Sequence, residues 1–236
     1  FMMIIGTVLI QGLGAKLIGS LLKVREPSNN GVLIVGSNPV SRKIALAIKE
    51  YGYEVMMADA NYTEIAKARM KGLRTYYGNP VSDHAELHMD LIGIGHLFAM
   101  STDRELNTLS EVSYKHEFGE RNIYRLLLID EKDQPARHLR QMSLRSHWLF
   151  GKNITYSKLA EMIENNARVK VTNITETYSY GQYCFDNPTA IPLFIIDKGD
   201  VMRVITQDYL LSEDADYKLI ALVHEDTRPQ INTEIA

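Results

Sequence analysis

A chain of 236 residues with 45% hydrophobic and 23% charged content is globular rather than disordered, and it is long enough for two ordinary domains. Its formal charge of -3 offers no basic stripe, so no nucleic-acid partner is expected. The single cysteine, Cys184, excludes an internal disulfide; within Tyr183-Cys184-Phe185 it lacks a cationic neighbour and reads as a small buried apolar residue, not a nucleophile.

Phe1 to Ile10 is almost wholly apolar, and Gly12 to Leu22 continues the run with Lys16 as its one charge. The charges at Lys16, Lys23 and Arg25 come late, as in a membrane helix leaving on the cytoplasmic side; a signal peptide has the reverse order. The expectation is the end of a last transmembrane helix over 1–23, belonging to a longer protein that begins before Phe1. An amphipathic helix packed on the domain is the alternative, because a full span needs about 20 apolar residues. Residues 24–30, VREPSNN, read as a linker.

Gly31 to Gly36 is a β-branched run between glycines and predicts a buried parallel strand. Ser41 to Tyr51 carries Ile44, Ile48 and Tyr51 on one helical face. Glu54 to Ala58 predicts a second strand ending at Asp59, and a helix over about 63–71 stops at Gly72. Thr75 to Tyr77 is short and aromatic; Ser82 to Leu91 is helical, with Asp83 and Glu86 spaced as a variant capping box. His96 to Met100 predicts a fourth strand. Thr102 and Glu105 form a capping box opening a helix to about Phe118, and Ile123 to Ile129 predicts a fifth strand. Strands alternating with helices of this length give an α/β fold, a Rossmann-like parallel sheet with helices on both faces.

After Asp130 the rhythm changes. Arg137 to His147 is basic and helix-compatible, and Thr155 can cap a helix carrying Leu159, Met162 and Ile163. Strand-like runs follow at 169–174, 178–185, 193–196, 201–205 and 219–223, with Asp197 to Asp200 as a hairpin turn that has Gly199 at a position tolerating positive φ. The division is 31–136 for the Rossmann-like domain and 137–236 for a smaller, mostly antiparallel α+β lobe, starting between 137 and 152.

The first strand–turn–helix reads Gly36-Ser37-Asn38-Pro39-Val40-Ser41, where a dinucleotide-binding protein has G-x-G-x-x-G. The first glycine is present; Asn38 and Ser41 hold the second and third places. Asn38 can visit left-handed φ but crowds the phosphate path, Ser41 keeps the packing, and the helix N-terminus offers free N–H groups. Asp59, at the end of the second strand, can accept the two hydroxyls of an adenosine ribose or can cap the following helix near Asn61. No tyrosine is followed by Lys four residues later, as a reductase of this fold often requires. His84 and His88 share a helical face without a third metal ligand and read as solvated. No nucleophile–base pair stands out, and the chain is not expected to be an enzyme.

These residues resemble a known family. Gly31 to about Leu128 looks like the N-terminal RCK (TrkA-N, KTN) domain, through VLIVGSNPVSRKIA (32–45), MMADAN (56–61), YYGNP (76–80) and AMSTDRELN (99–107). The opening GTVLIQGLGAKLIGSLLKV (6–24) is similar to the end of the last transmembrane helix of NhaP-type sodium/proton antiporters. LFGK (149–152) through Thr155-Tyr156, with IPLFIIDKGD (191–200), more loosely resembles a degenerate RCK-C-like lobe. The resemblance implies a regulatory region of a monovalent cation/proton antiporter, for sodium or potassium, at the cytoplasmic face of the plasma (inner) membrane. Its partners would be the membrane, the transmembrane domain of the same polypeptide and a second copy in a homodimer. The implied ligands are NAD(H), ADP or AMP, at Gly36, Ser37, Asn38, Pro39, Ser41, Asp59, Ala60, Asn79 and Ser101. Gly36 and Asp59 match the family's positions; Asn38 and Ser41 depart from glycine, and Asn79 stands where many relatives have Asp, which favours a mononucleotide or an empty pocket. The alternatives are a soluble NAD-dependent oxidoreductase and a peripheral TrkA-like potassium-transport subunit.

Overall fold

The computed structural model describes residues 29–128, 147–151, 153–207, 209 and 216–224. The expected membrane-helix end, most of the 24–30 linker and nearly all of the basic stretch 137–147 lie outside these residues. Among the described residues no helix is long and apolar enough to cross a membrane.

The first sheet is built from β1 (Gly31–Val35), β2 (Val55–Asp59), β3 (Arg74–Tyr77), β4 (Ile94–Ala99), β5 (Ile123–Arg125) and β6 (His147–Trp148). Their order is β3-β2-β1-β4-β5-β6, and every pairing is parallel. This is the doubly wound Rossmann order, in which the chain changes direction of travel between β1 and β4. All five residues of β1 are buried, so the alternation of its side chains feeds two cores. Val32 and Ile34 face one side with Val55, Met57, Phe98 and Met100. Leu33 and Val35 face the other with Met56, Ala58 and Leu97.

The connecting helices are α1 (Pro39–Glu50), α2 (Tyr62–Met70), α3 (Asp83–His88), α4 (Arg104–Ser113) and α5 (Lys115–Phe118). Val40, Ile44 and Ile48 recur every four residues and form the buried stripe of α1. With Ala68 of α2 they cover the Val32 face, while Ala85 of α3 and Phe118 of α5 cover the Leu33 face. Burying a side chain such as Ile48 completely contributes about 1.5–3 kcal/mol.

Two caps differ from the sequence expectation. Ser82 caps α3 by accepting from the Ala85 amide, with Asp83 and Glu86 merely in the first turn. Asp103, not Thr102, caps α4, taking the Glu105 and Leu106 amides on its carboxylate. The helix then breaks at Tyr114 before α5, and Gly119, at φ 74°, ends it as expected.

The second lobe holds α6 (Tyr156–Glu164), capped by Thr155 as predicted, and α7 (Tyr180–Asp186). Its strands β7 (Arg168–Ile174), β8 (Ile191–Ile196), β9 (Met202–Val204) and β10 (Tyr217–Val223) form an antiparallel sheet ordered β7-β10-β8-β9. Ile220, Leu222 and Phe194 join the same apolar cluster as Ile34 and Ile44, so the lobe packs on the α1 side of the first sheet. Tyr217, Leu219 and Ala221 point the other way, where Tyr183 covers them.

Two expectations fail here. The run 178–185 is not a strand: Ser179 caps a helix by accepting from the Gln182 amide, and the helical period turns Tyr183 inward. Cys184 is therefore exposed, not buried. In the β8–β9 turn the left-handed residue is Asp200, at φ 55°, rather than Gly199. Asp197 organises that turn, accepting from the Gly199 and Val201 amides at 2.9 and 3.0 Å, and Asp tolerates left-handed φ better than most residues.

Candidate functional site

The carboxyl ends of β1, β2 and β4 converge where a doubly wound fold places its ligand. Gly36 follows β1 at φ 97°, and its amide donates to the Ala58 carbonyl at 2.9 Å. A Cβ on Gly36 would stand 2.5 Å from Ser101 Cα and 2.6 Å from Ser101 N. The glycine is required by the close approach of the β4 end, so the space beside it belongs to the protein.

Ser37 donates its amide to Asp59 Oδ2 at 2.6 Å, and its hydroxyl donates to the Glu64 carbonyl at 3.0 Å. Asp59 Oδ1 takes the Asn61 amide at 2.7 Å. Asn61 is the cap of α2, accepting from the Thr63 and Glu64 amides. Asp59 is thus no helix cap; it braces two loops, and each of its oxygens keeps a second lone pair for a ligand hydroxyl.

Asn38 adopts extended backbone, at φ -122°, instead of the left-handed region. Its Oδ1 accepts from the Ser41 amide at 2.9 Å, and Ser41 Oγ accepts from the Asn38 amide at 2.8 Å, a reciprocal capping box. Asn38 Nδ2 then reaches across to donate to the Met100 carbonyl at 2.7 Å. The expectation of a helix N-terminus with free N–H groups is corrected. Pro39 has no amide hydrogen and the Ser41 amide is taken by Asn38. Among the described residues, Val40 alone in this turn keeps an amide without a partner.

Ser101 and Asn79 stand differently. Buried Asn107 clamps Ser101 by accepting from its amide at 2.9 Å and donating to its carbonyl at 2.8 Å. The Ser101 hydroxyl accepts from the Asp103 amide at 3.0 Å. Asn79 folds into its own turn, accepting from the Val81 amide at 3.1 Å and, through its carbonyl, from the Ser82 hydroxyl at 2.8 Å. Tyr114 fixes that turn by donating to the Pro80 carbonyl at 2.6 Å, and burial pushes its hydroxyl up to about 12. The structure therefore unites Gly36, Ser37, Asn38, Pro39, Ser41, Asp59 and Ser101 around one edge. Asn79 is turned into its own loop, and Ala60 is an exposed position between Asp59 and Asn61.

Sequence reasoning missed two features. Arg42, buried in α1, donates to the Ser37 carbonyl at 3.2 Å and pairs with Glu64 of α2. Glu64 also accepts from Lys67 at 2.6 Å; that bond first, then Arg42, holds its carboxyl below the usual glutamate range against the opposing effect of burial. Because the folded pKa is depressed, this stabilisation is present above the ordinary range and is lost as pH falls through the folded value. Glu64→Gln is expected to flatten the acid limb of the stability profile below about pH 4, read from urea midpoints between about pH 3 and 7. A wild-type acid limb retained in the variant would contradict this.

The second missed feature is an aromatic pair. Tyr62 opens α2 and Tyr77 closes β3, directly opposite Asp59 in the β2–β3 register. Their rings meet edge to face, with centroids 5.5 Å apart. They are 63% and 54% exposed, so two near-perpendicular aromatic rings stand in solvent at the end of β2 and β3. In the sequence Tyr77 falls within YYGNP and Tyr62 directly follows MMADAN, 15 residues earlier, so no short pattern joins the two rings.

Two cavities lie apart from these residues. One of about 400 Å³ lies in the second lobe beside Phe150, Met162, Ile191 and His224. Another, of about 350 Å³, is lined by His96, Tyr124, His147 and Arg203 among others. Among the described residues no group of three or more His, Cys, Asp or Glu side chains could hold a metal. His88 Nδ1 lies 2.9 Å from the His84 carbonyl, and the two rings stack at 4.0 Å.

No protein-family model and no curated protein sequence matches this chain. Among solved structures it is similar to the NAD(P)-binding domain of an exopolyphosphatase-related protein from Archaeoglobus fulgidus. Identity there is 11% and the TM-score 0.42, over 58% of this chain and 96% of that one. It is also similar to the GsuK RCK domain, at 10% identity and a TM-score of 0.41 over 85% of this chain and 46% of that one. The GsuK channel bound to NAD gives 12% and 0.40, over 93% and 43%. The chain spans less than half the length of either GsuK chain. At such identities and scores these likenesses carry nothing beyond the Rossmann-like topology already described.

Proposed function

We propose that this chain is an RCK/TrkA-N-like regulatory domain that binds an adenine nucleotide and biases a monovalent-cation transport system. The observation that carries the reading is Asp59, a half-exposed carboxylate at the carboxyl end of β2 with the Tyr62–Tyr77 pair beside it. A carboxylate there suits a ribose diol, and exposed aromatic faces suit a purine. The four RCK-like sequence stretches between 32 and 107 support the same reading. The role is binding rather than catalysis, since the residues at this edge spend their polar groups on holding loops together.

In this proposal the domain acts at the cytoplasmic face of the membrane and pairs with a second copy. Late positive charges after the apolar opening support attachment to a transporter segment of the same polypeptide. A peripheral TrkA-like subunit docking on a separate transporter would use the identical site. Whichever the attachment, the ligand regulates only by preferring one arrangement of the pair; about 1.4 kcal/mol of preference shifts populations tenfold.

The test is calorimetric titration of the full chain with AMP, ADP and NADH, beside Asp59→Asn. Wild type is expected to bind at least one of them, and the variant to bind about tenfold or more weaker, since a hydrogen bond to a charged group is worth about 1.5–3 kcal/mol. Silence from all three ligands, or a variant that binds as wild type does, would sink the reading.

A further inference from the structure

A dinucleotide on a doubly wound sheet must cross the crevice between the β1–α1 turn and the end of β4, where the strand order reverses. Its adenosine half lies on the β2 side, and its second nucleoside lies beyond β4. The middle glycine of the motif keeps that crossing clear, letting the pyrophosphate lie on bare backbone. In this chain the crossing is occupied.

Asn38 Nδ2 donates to the Met100 carbonyl at 2.7 Å, so one side chain bridges the β1–α1 turn to the β4 end. The same side chain is fixed at its oxygen by the Ser41 amide at 2.9 Å, which leaves it no freedom to swing aside without losing two bonds. Beneath it, Ser101 backbone fills the space that a Gly36 Cβ would take. Most amides that a pyrophosphate would recruit are spent: Ser37 on Asp59, Asn38 on Ser41, Ser41 on Asn38, with Pro39 supplying none, so that Val40 alone is left for a phosphate. On the β2 side the bridge is the Ser37 amide on Asp59 Oδ2 at 2.6 Å, which leaves the carboxylate half exposed. Asp59 and the rings of Tyr62 and Tyr77 face solvent at least in part.

We infer that Asn38 is a specificity strap: the site admits an adenosine group carrying one phosphate and excludes dinucleotides, because Asn38 bridges to Met100 across the crevice. The inference rests on the nucleotide-binding reading above and narrows its ligand class. A dinucleotide does not fit the turn as folded, so no hydride-transfer chemistry is assigned to this edge.

The strap is tested on the full chain with AMP and NADH as probes, by calorimetry and by NADH fluorescence. Wild type is expected to prefer AMP at least tenfold. Asn38→Gly removes the strap, and glycine is nearly as good an N-cap as asparagine; the AMP-to-NADH affinity ratio should fall at least tenfold. Asn38→Ser keeps a capping oxygen but is too short to reach Met100, and it should shift the ratio in the same direction. Far-UV circular dichroism confirms that both variants are folded. Equal affinity of wild type for AMP and NADH, with Asp59→Asn weakening both, would overturn the strap and leave the site standing. An unchanged ratio in both folded variants would overturn it too. Failure of wild type to bind either probe would remove the site and the strap together.

Discussion

Glu111→Ala is expected to cost about 3–5 kcal/mol of folding stability, the usual penalty for stripping one partner from a buried ion pair. Arg125 of β5 and Glu111 of α4 lie 3.3 Å apart, and each side chain is only 2% exposed. Arg125 also donates to Thr108 Oγ1 at 3.0 Å, and its guanidinium stands 5.7 Å from the Trp148 ring centre. The pair ties the helix after the crevice to the strand beyond it, next to the two-residue strand β6. Urea unfolding should show a lower midpoint at an unchanged slope. The double variant Arg125→Met, Glu111→Leu should recover most of the loss, because an apolar pair of similar volume removes the desolvation cost of both charges. The exposed Arg74–Asp90 pair, at 3.0 Å, is the contrast: Asp90→Asn should change stability by about 0.5 kcal/mol or less. A Glu111→Ala loss no larger than that would contradict the buried-pair account.

Gly36→Ala is expected to lower stability by about 3 kcal/mol and the melting temperature on the order of 10 °C. Two costs add. The backbone at φ 97° disfavours any side chain, and the new Cβ would fall 2.5 Å from Ser101 Cα, which must move. Gly119→Ala separates them, because at φ 74° its Cβ meets nothing within 4 Å. That variant should show the conformational cost alone, about 1 kcal/mol. Equal losses in the two variants would mean that the approach of Ser101 contributes nothing. The comparison matters for function, since it asks whether the one surviving glycine of the motif serves packing rather than a phosphate.

The Rossmann half was legible because its signals are local. Gly31 to Val35 is a run of buried strand residues, Ile44, Ile48 and Tyr51 share one helical face, and Gly72 sits at φ 75° just past α2 as its sequence position suggests. The aromatic segment 178–185 misled because tyrosine and phenylalanine favour strands on average. Ser179, a capping residue, decided the matter, and Cys184 moved to the surface with the change of period. Thr102 satisfied a capping pattern, but Asp103 beside it has the stronger acceptor. At the candidate site the sequence pointed to the Gly36–Ser41 turn and to Asp59, which the structure brings together through the Ser37 amide. It could not reveal that Asn38 bonds to Met100, 62 residues away, or that Arg42 pairs with Glu64 on the next helix. Those contacts depend on the sheet being assembled, and no short pattern encodes them.

Amide chemical shifts of the ¹⁵N-labelled full chain during an AMP titration decide whether Asp59, with its two braced amides, recognises a nucleotide. The largest changes are expected at Ser37 and Asn61, whose N–H groups Asp59 holds, together with Tyr62 and Tyr77. Changes centred instead on the second-lobe cavity around Phe150 and His224, with Ser37 and Asn61 unmoved, would contradict it.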